Sequence, residues 1–311
     1  MTSTEMTIAS VSLEQPLESI ATELGHSFEE LGFGVVRDHG IPDALVDQAW
    51  DRARAFFDLP DDVKRAYAIA GSGGARGYTP FGTEKAKDAA VHDLKEFWHV
   101  GQTLEPGDPL NATMPPNVWP AEVQQFEETF QQLYRTLESV GTRILSAIAL
   151  HMGLDRNWFT PTVERGNSVL RLLHYPPVRP GNEGAVRAAA HEDINTITLL
   201  LGAEEAGLEL QRKDGSWMPI DPPEGALVVN IGDMLQRLTA GRLRSTTHRV
   251  VNPVGEAARR SRYSMPFFLH FRSDFMIDPD KVGIARSDDP AYAPISADDY
   301  LMQRLREINL V

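Results

Sequence analysis

Apolar residues in the first half of the chain recur every three to four positions. Leu17, Ile20, Ala21, Leu24, Phe28 and Leu31 make one stripe, which predicts a helix. Phe33-Gly34-Val35-Val36-Arg37-Asp38-His39-Gly40 then reads as a short strand and turn. A second stripe, Leu45, Ala49, Trp50, Ala53 and Phe57, predicts a helix from about Asp43 to Phe57 that stops before Pro60. The longest helical pattern runs from about Ala121 to Met152 on Val123, Phe126, Phe130, Leu133, Leu137, Ile144 and Ile148. Between these helices, Gly71 to Gly77 (GSGGARG) is glycine-rich. It lacks the Gly-Lys-Ser/Thr ending of a phosphate loop, so it reads as flexible backbone and not as a nucleotide site.

Near Asn167 the texture changes. Short β-branched or apolar segments bounded by Gly, Pro, Asn or Asp follow one another: Val169–Tyr175, Thr196–Leu201, Leu208–Gln211, Ala226–Ile231, Thr246–Val251 and Tyr263–Phe271. Short strands at this spacing predict an all-β sandwich or jelly roll. Ser296 reads as an N-cap, and Tyr300, Leu301, Leu305 and Ile308 as the stripe of a terminal helix. The expected organisation is a helical and mixed N-terminal region over 1–160, a mainly β core over 161–275 and an extension over 276–311.

Composition narrows the chemistry. The 311 residues contain no cysteine, which excludes disulfides, thiolate zinc sites, iron–sulfur clusters and cysteine nucleophiles together. Thirty Lys and Arg against 44 Asp and Glu give a net charge of −14, which repels phosphate backbones and argues against a nucleic-acid partner. No apolar stretch reaches the roughly 18 residues of a membrane span, and the first twenty residues carry no Lys or Arg and no signal-peptide pattern. The expectation is a cytoplasmic enzyme acting on a small molecule, as a monomer or homodimer, through His, carboxylate, hydroxyl, Arg or Lys side chains.

The residues that carry chemistry are His191-Glu192-Asp193 and, 55 positions after Asp193, His248. In extended backbone, positions i and i+2 share a face, so His191 and Asp193 can bind one ion together. His248, in the strand-like run Ser245 to Val251, could add a third ligand from a facing strand. Two imidazoles and a carboxylate on one face of an octahedron leave three sites open, the ligand set of non-haem Fe(II) oxygenases. Fourteen residues after His248 come Arg262 and Ser264, which share a face by the same period. A guanidinium and a hydroxyl aimed into a β core need an anionic partner. A small carboxylate beside the metal meets that need, with Tyr175 as a further donor.

In this combination the chain resembles the isopenicillin N synthase-like branch of the Fe(II)/2-oxoglutarate-dependent oxygenases. The resemblance covers roughly residues 15 to 275 and rests on His191-x-Asp193, Asn230-Ile231-Gly232-Asp233, Ser245-Thr246-Thr247-His248-Arg249-Val250 and Arg262-x-Ser264. Gly32-Phe33-Gly34, His39-Gly40-Ile41-Pro42 and Gly77-Tyr78-Thr79-Pro80 extend it to the N-terminal region. It implies a double-stranded β-helix (jelly roll) with helices outside it, Fe(II) on His191, Asp193 and His248, and 2-oxoglutarate and O2 as co-substrates. Arg262 and Ser264 would match the pair that grips the distal carboxylate of 2-oxoglutarate. Plant members carry Asn-x-Tyr where this chain has Leu173-His174-Tyr175. Isopenicillin N synthase also lacks that asparagine, uses O2 without 2-oxoglutarate and binds substrate carboxylate through its Arg-x-Ser. An oxidase of that kind is therefore the alternative, and a non-catalytic metal- and carboxylate-binding jelly roll is a third reading.

The remaining candidates have ordinary explanations beside functional ones. Tyr78, Phe81, Phe97, His99, Arg171 and Phe268 are read as substrate contacts, favouring a small, partly apolar organic molecule. For Arg171 the ordinary alternative is a buried ion pair, and for Phe97 and His99 it is packing. His26, His39, His151 and His174 read as structural. His270 shares the face of Arg262 and Ser264, eight residues further along, and Asn230 and Asp233 read as turn-forming residues, with a hydrogen bond to a ligating histidine as the alternative.

Overall fold

The computed structural model describes residues 7–69, 75–83, 94–177, 187–201, 207–252, 255–285 and 289–307. In the N-terminal half, β1 (Ala9–Ser12) leads to α1 (Leu17–Glu30), β2 (Phe33–Arg37), α2 (Asp43–Phe57) and the short α3 (Asp61–Arg65). Then come β3 (Gly77–Thr79), β4 (Glu96–Gly101), the long α4 (Phe126–His151) and the one-turn α5 (Thr160–Val163). Six strands follow: β5 (Val169–Tyr175), β6 (Ala188–His191), β7 (Ile197–Leu201), β8 (Leu208–Gln211), β9 (Trp217–Pro219) and β10 (Leu227–Ile231). The chain closes with α6 (Asp233–Leu238), β11 (His248–Val250), β12 (Arg262–Leu269), the short pair β13 (Met276–Ile277) and β14 (Ile295–Ser296), and α7 (Ala297–Glu307).

Pro42 and Pro60 bracket α2, whose ends coincide with the expected ones. The long helix starts five residues later than its apolar pattern, because Gln125 sits in the left-handed region at φ 58° and interrupts the run. Val123 is still buried, but from the turn before the helix. At α7 the Ser296 hydroxyl accepts a hydrogen bond from the Asp299 N–H at 3.0 Å, the cap expected there. Ile308 and most of the glycine-rich loop, residues 70–74, lie outside the described residues.

Eight strands form the larger sheet, in the order β1-β2-β10-β7-β12-β5-β4-β3, and four form the smaller one, β6-β11-β8-β9. The N-terminal region does more than wrap the β core, since β1 to β4 extend the larger sheet at both edges. Strand alternation gives this sheet two different faces. Leu170, Leu172, Leu199, Leu227, Val229, Met265 and Phe267 point outward and pack with α1, α2 and α4 into the main core. Each fully buried side chain of this size contributes roughly 1.5–3 kcal/mol, so most hydrophobic stabilisation lies outside the jelly roll. Between the sheets only a small cluster packs, including Phe33 and Val228 from one sheet and Ala188, Leu208, Leu210 and Val250 from the other. Phe97, Leu173 and Tyr175 form another small group. The space left between the sheets is where the polar candidates meet.

Candidate metal centre

β6 ends at His191 and β11 begins at His248, and the two residues are direct cross-strand partners. Asp193 is placed differently from the expectation of a shared strand face, because β6 stops before it. The turn that carries it docks on α6: the Asp233 N–H donates to Asp193 O at 2.7 Å and the Gly232 N–H to Thr196 O at 3.0 Å. A side chain at Gly232 would collide with the Asn195 carbonyl and amide oxygens, so the turn can close only on glycine. The outcome is a cluster in which one ligand atom from each of His191, Asp193 and His248 lies within 4.8 Å of the others. His191 Nε2 is 3.9 Å from Asp193 Oδ1, and His248 Nε2 is 3.9 Å from Asp193 Oδ2.

Hydrogen bonding prepares these groups for a cation. His191 Nδ1 lies 2.7 Å from Ala189 O and His248 Nδ1 lies 3.1 Å from Thr246 O. A carbonyl only accepts, so each Nδ1 carries the proton and each Nε2 offers a lone pair to the cluster. Burial, then the neighbouring His248, pushes the His191 pKa down to about 4, so its neutral form prevails, although 39% of its side chain is accessible. Burial alone would raise the Asp193 carboxyl. His248, His191 and hydrogen bonds from Asn230 and Thr198 outweigh it and hold Asp193 below its ordinary value. Two imidazoles whose Nδ1 atoms face carbonyls, with an ionised carboxylate between them, form a donor set that suits a divalent first-row metal.

Arg262 and Ser264 open β12, opposite Tyr175 and Leu173 of β5. Arg262 is buried, its Nη1 lies 3.5 Å from Ser264 Oγ, and its guanidinium carbon lies 5.1 Å from the centre of the Tyr175 ring. A cavity of about 840 Å³ reaches Arg262 between walls that include Leu200, Leu208, Ile220 and Val228. Further along the same face, Arg171 donates from Nε to His99 Nε2 at 2.6 Å and stacks against the rings of Phe97 (4.3 Å) and Phe268 (5.4 Å). These four substrate candidates meet. Tyr78 does not join them, because alternation turns it outward, where its hydroxyl bonds Glu96 beneath Phe56. Phe81 is 45% exposed on a turn.

The other histidines divide clearly. His39 bonds the backbone of Gly225 and Ile41, His151 bonds Glu29, and His174 bridges Glu96 and Ser261. His270 stands apart, buried and within electrostatic reach of Asp193.

Known proteins carry the same plan. Residues 7–122 match the family described as "non-haem dioxygenase in morphine synthesis N-terminal", and residues 166–271 match the 2OG-Fe(II) oxygenase superfamily. The 2-oxoglutarate-Fe(II) type oxidoreductase hxnY of Emericella nidulans is 31% identical over 290 residues, which cover 90% of this chain and 82% of that protein. The chain belongs to the 2-oxoglutarate–Fe(II) oxygenase family. A crystal structure of a 2OG-Fe(II) oxygenase family protein from Caulobacter crescentus superposes with a TM-score of 0.89 at 52% identity, covering 97% of this chain and 99% of that one. Neurospora crassa T7H in complex with alpha-KG and thymine gives a TM-score of 0.85 at 29% identity, covering 98% of both chains.

This oxygenase is therefore an Fe(II)- and 2-oxoglutarate-dependent enzyme with the jelly-roll fold, and O2 is its co-substrate. The oxidase alternative without 2-oxoglutarate is not favoured, since hxnY and T7H are named or seen with 2-oxoglutarate. No helix among the described residues is long and apolar enough to cross a membrane. Two residues around the centre escape or depart from sequence reading. Asn230 is a strand residue and not a turn former, and its Nδ2 donates to Asp193 Oδ2 at 2.8 Å. Thr198 donates to the same oxygen at 2.5 Å and is itself bonded by Asn195 at 3.0 Å. A threonine facing inward from the apolar run of β7 was the available signal. Asp233, also read as a turn former, is the buried first residue of α6 and pairs with Arg304 of α7 at 3.0 Å.

Proposed function

We propose that His191, Asp193 and His248 hold the Fe(II), and that Arg262, Ser264 and Tyr175 hold the distal carboxylate of 2-oxoglutarate. The substrate is then a small organic molecule that meets the metal on the side of Phe97, His99, Arg171 and Phe268. Hydroxylation is the primary outcome, with desaturation or ring closure open to the same site. The observation that carries this reading is the pair of imidazoles whose Nδ1 atoms face backbone carbonyls, so that both Nε2 lone pairs converge with a locked carboxylate. When bound, the metal and its co-substrate supply the oxidative decarboxylation of 2-oxoglutarate to succinate and CO2, coupled to oxidation of a substrate carbon.

The chain's own residues set the conditions. Asn230 and Thr198 fix the Asp193 carboxylate, and Arg262 with Ser264 orients an anion by its planar fork. The apolar walls keep water away from the reacting carbon. A net charge of −14 supports a small-molecule substrate over a nucleic acid, and the cysteine-free composition agrees with a cytoplasmic enzyme. Anaerobic titration with Fe(II) and 2-oxoglutarate is the test. A metal-to-ligand charge-transfer band in the visible is expected, and its absence in protein that still binds Fe(II) would overturn the assignment of the 2-oxoglutarate residues.

A further inference from the structure

The strongest unexplained group outside the metal centre is Arg76, the one charged residue of the glycine-rich stretch. It is 1% exposed, and its Nη1 donates to Ala75 O at 2.7 Å, yet Nε and Nη2 have no hydrogen-bond partner. Removing a guanidinium from water costs several kcal/mol unless it is paired. Among the described residues no carboxylate acts on it. The ionisable neighbour that does is Tyr134, whose phenol is pushed far up by burial and stays neutral. Nε and Nη2 form one edge of the planar fork, the edge that receives a carboxylate side-on with two parallel hydrogen bonds.

Its location gives this edge a purpose. The guanidinium lies flat on Gly101, where an added Cβ would overlap Cζ, Nη2 and Nε. Gly101 shares the inner face of β4 with Phe97 and His99, and its cross-strand partner is Val169 at the start of β5. Beside it, the Tyr134 hydroxyl donates to Ser168 O at 3.1 Å, and the His270 N–H donates to Ser168 Oγ at 3.1 Å. His270 Nδ1 is a further buried nitrogen without a partner. Arg262 faces Tyr175 at the far end of β5, whereas Thr198, which holds Asp193, pairs with Phe268 near this end. Two arginines thus stand at opposite ends of the same strand, and Arg262 is already assigned to 2-oxoglutarate.

We propose that Arg76 is an anion subsite for the primary substrate, and that this substrate is a small carboxylic acid. The proposal rests on the oxygenase reading and adds the substrate class. The carboxylate takes the Nε/Nη2 edge of Arg76. Its carbon skeleton then lies along Arg171 and Phe268 toward the metal.

The test uses the full-length protein loaded with Fe(II) and 2-oxoglutarate under argon. Hexanoate, benzoate and cyclohexanecarboxylate are each compared with their primary amides by calorimetric titration. At least one acid should bind ten times or more tighter than its amide, with the preference lost in Arg76→Met and partly kept in Arg76→Lys. The charge-transfer band should persist in both variants, so its loss in wild type would mark failure of the oxygenase assignment and not of this one. Melting of the ligand-free protein supplies a second readout, because Arg76→Met removes an uncompensated buried charge and should leave the melting temperature equal or higher. A fall of several degrees would make Arg76 a structural residue and overturn the proposal. So would equal binding of every acid and its amide, or an acid preference that survives Arg76→Met.

Discussion

The strands β4, β5 and β12 carry buried polar groups on both faces, and the two sets are built on opposite rules. On the outer face, Glu96 accepts from Lys64 at 3.0 and 3.2 Å, from His174 Nδ1 at 2.7 Å and from the Tyr78 hydroxyl. His174 Nε2 lies 3.0 Å from the Ser261 hydroxyl, and its ring stacks on Tyr263 at 4.7 Å. That network is closed. Across from the inner face, on the smaller sheet, the Nε2 atoms of His191 and His248 converge, and on the inner side Arg76 and His270 carry nitrogens with no partner. Burying a polar group is tolerable when its bonds are complete, so a closed network reads as architecture. Ligand atoms that converge with nothing between them are completed by something that is not the protein.

Breaking the comparison on its inner side should give the largest effect. Asp193→Ala removes the only carboxylate of the cluster, and succinate release should fall by about a thousandfold or more, with loss of Fe(II) binding by titration. On the outer side, Glu96→Ala removes the carboxylate that Lys64 and His174 share, leaving Lys64 to Phe57 O and Asp61 and His174 to Ser261. It should cost about 3–5 kcal/mol of stability in urea unfolding, while the protein that remains folded keeps its Fe(II) affinity. An Fe(II) affinity that fell with the Glu96 network would show the two faces to be one system.

Smaller changes sharpen the distinction. Arg262→Lys keeps the charge but not the fork, and should raise the 2-oxoglutarate concentration for half-maximal turnover by about 10–100-fold at unchanged Fe(II) affinity. Thr198→Val removes one of the bonds that hold Asp193 Oδ2. It should weaken Fe(II) binding by roughly 10-fold, at the low end of what such supporting bonds contribute, with little change in melting temperature.

The same division explains how much was legible in the sequence. The helices α1 and α2, the strands β5, β7, β8, β10, β11 and β12 and the His191, Asp193 and His248 set follow from periodicity and from residue types that core packing does not select. Tyr78 was misplaced because its turn-rich neighbourhood hides strand parity, and one step of parity separates the outer face from the inner. Asn230 and Asp233 belong to residue types that favour turns, but long-range bonds to Asp193 and Arg304 decide their roles. Six residues are too few for α6 to display a helical period. Arg76 lies in Gly71 to Gly77, which reads as flexible backbone, and only the three-dimensional contact with Gly101 reveals its burial.

The last and smallest effect separates the two faces by pH. Burial pushes the His270 pKa down to about 4, below its ordinary 6.5, so between these values the unfolded chain binds a proton that the folded chain does not. Stability therefore falls as the pH drops from about 6.5 toward 4 in the metal-free protein. Glu96 works at lower pH. Burial opposes its ionisation, but bonds from His174, Tyr78 and Lys64 prevail and hold it below its ordinary 4.5. Its contribution is complete above about 4.5 and disappears as the pH falls through the folded value. Urea titrations of metal-free protein from pH 7 to 3 should show His270→Phe flattening the upper window alone and Glu96→Gln the lower window alone. If His270→Phe left the upper window unchanged, His270 would already possess a protein partner and would belong with the closed network of the outer face.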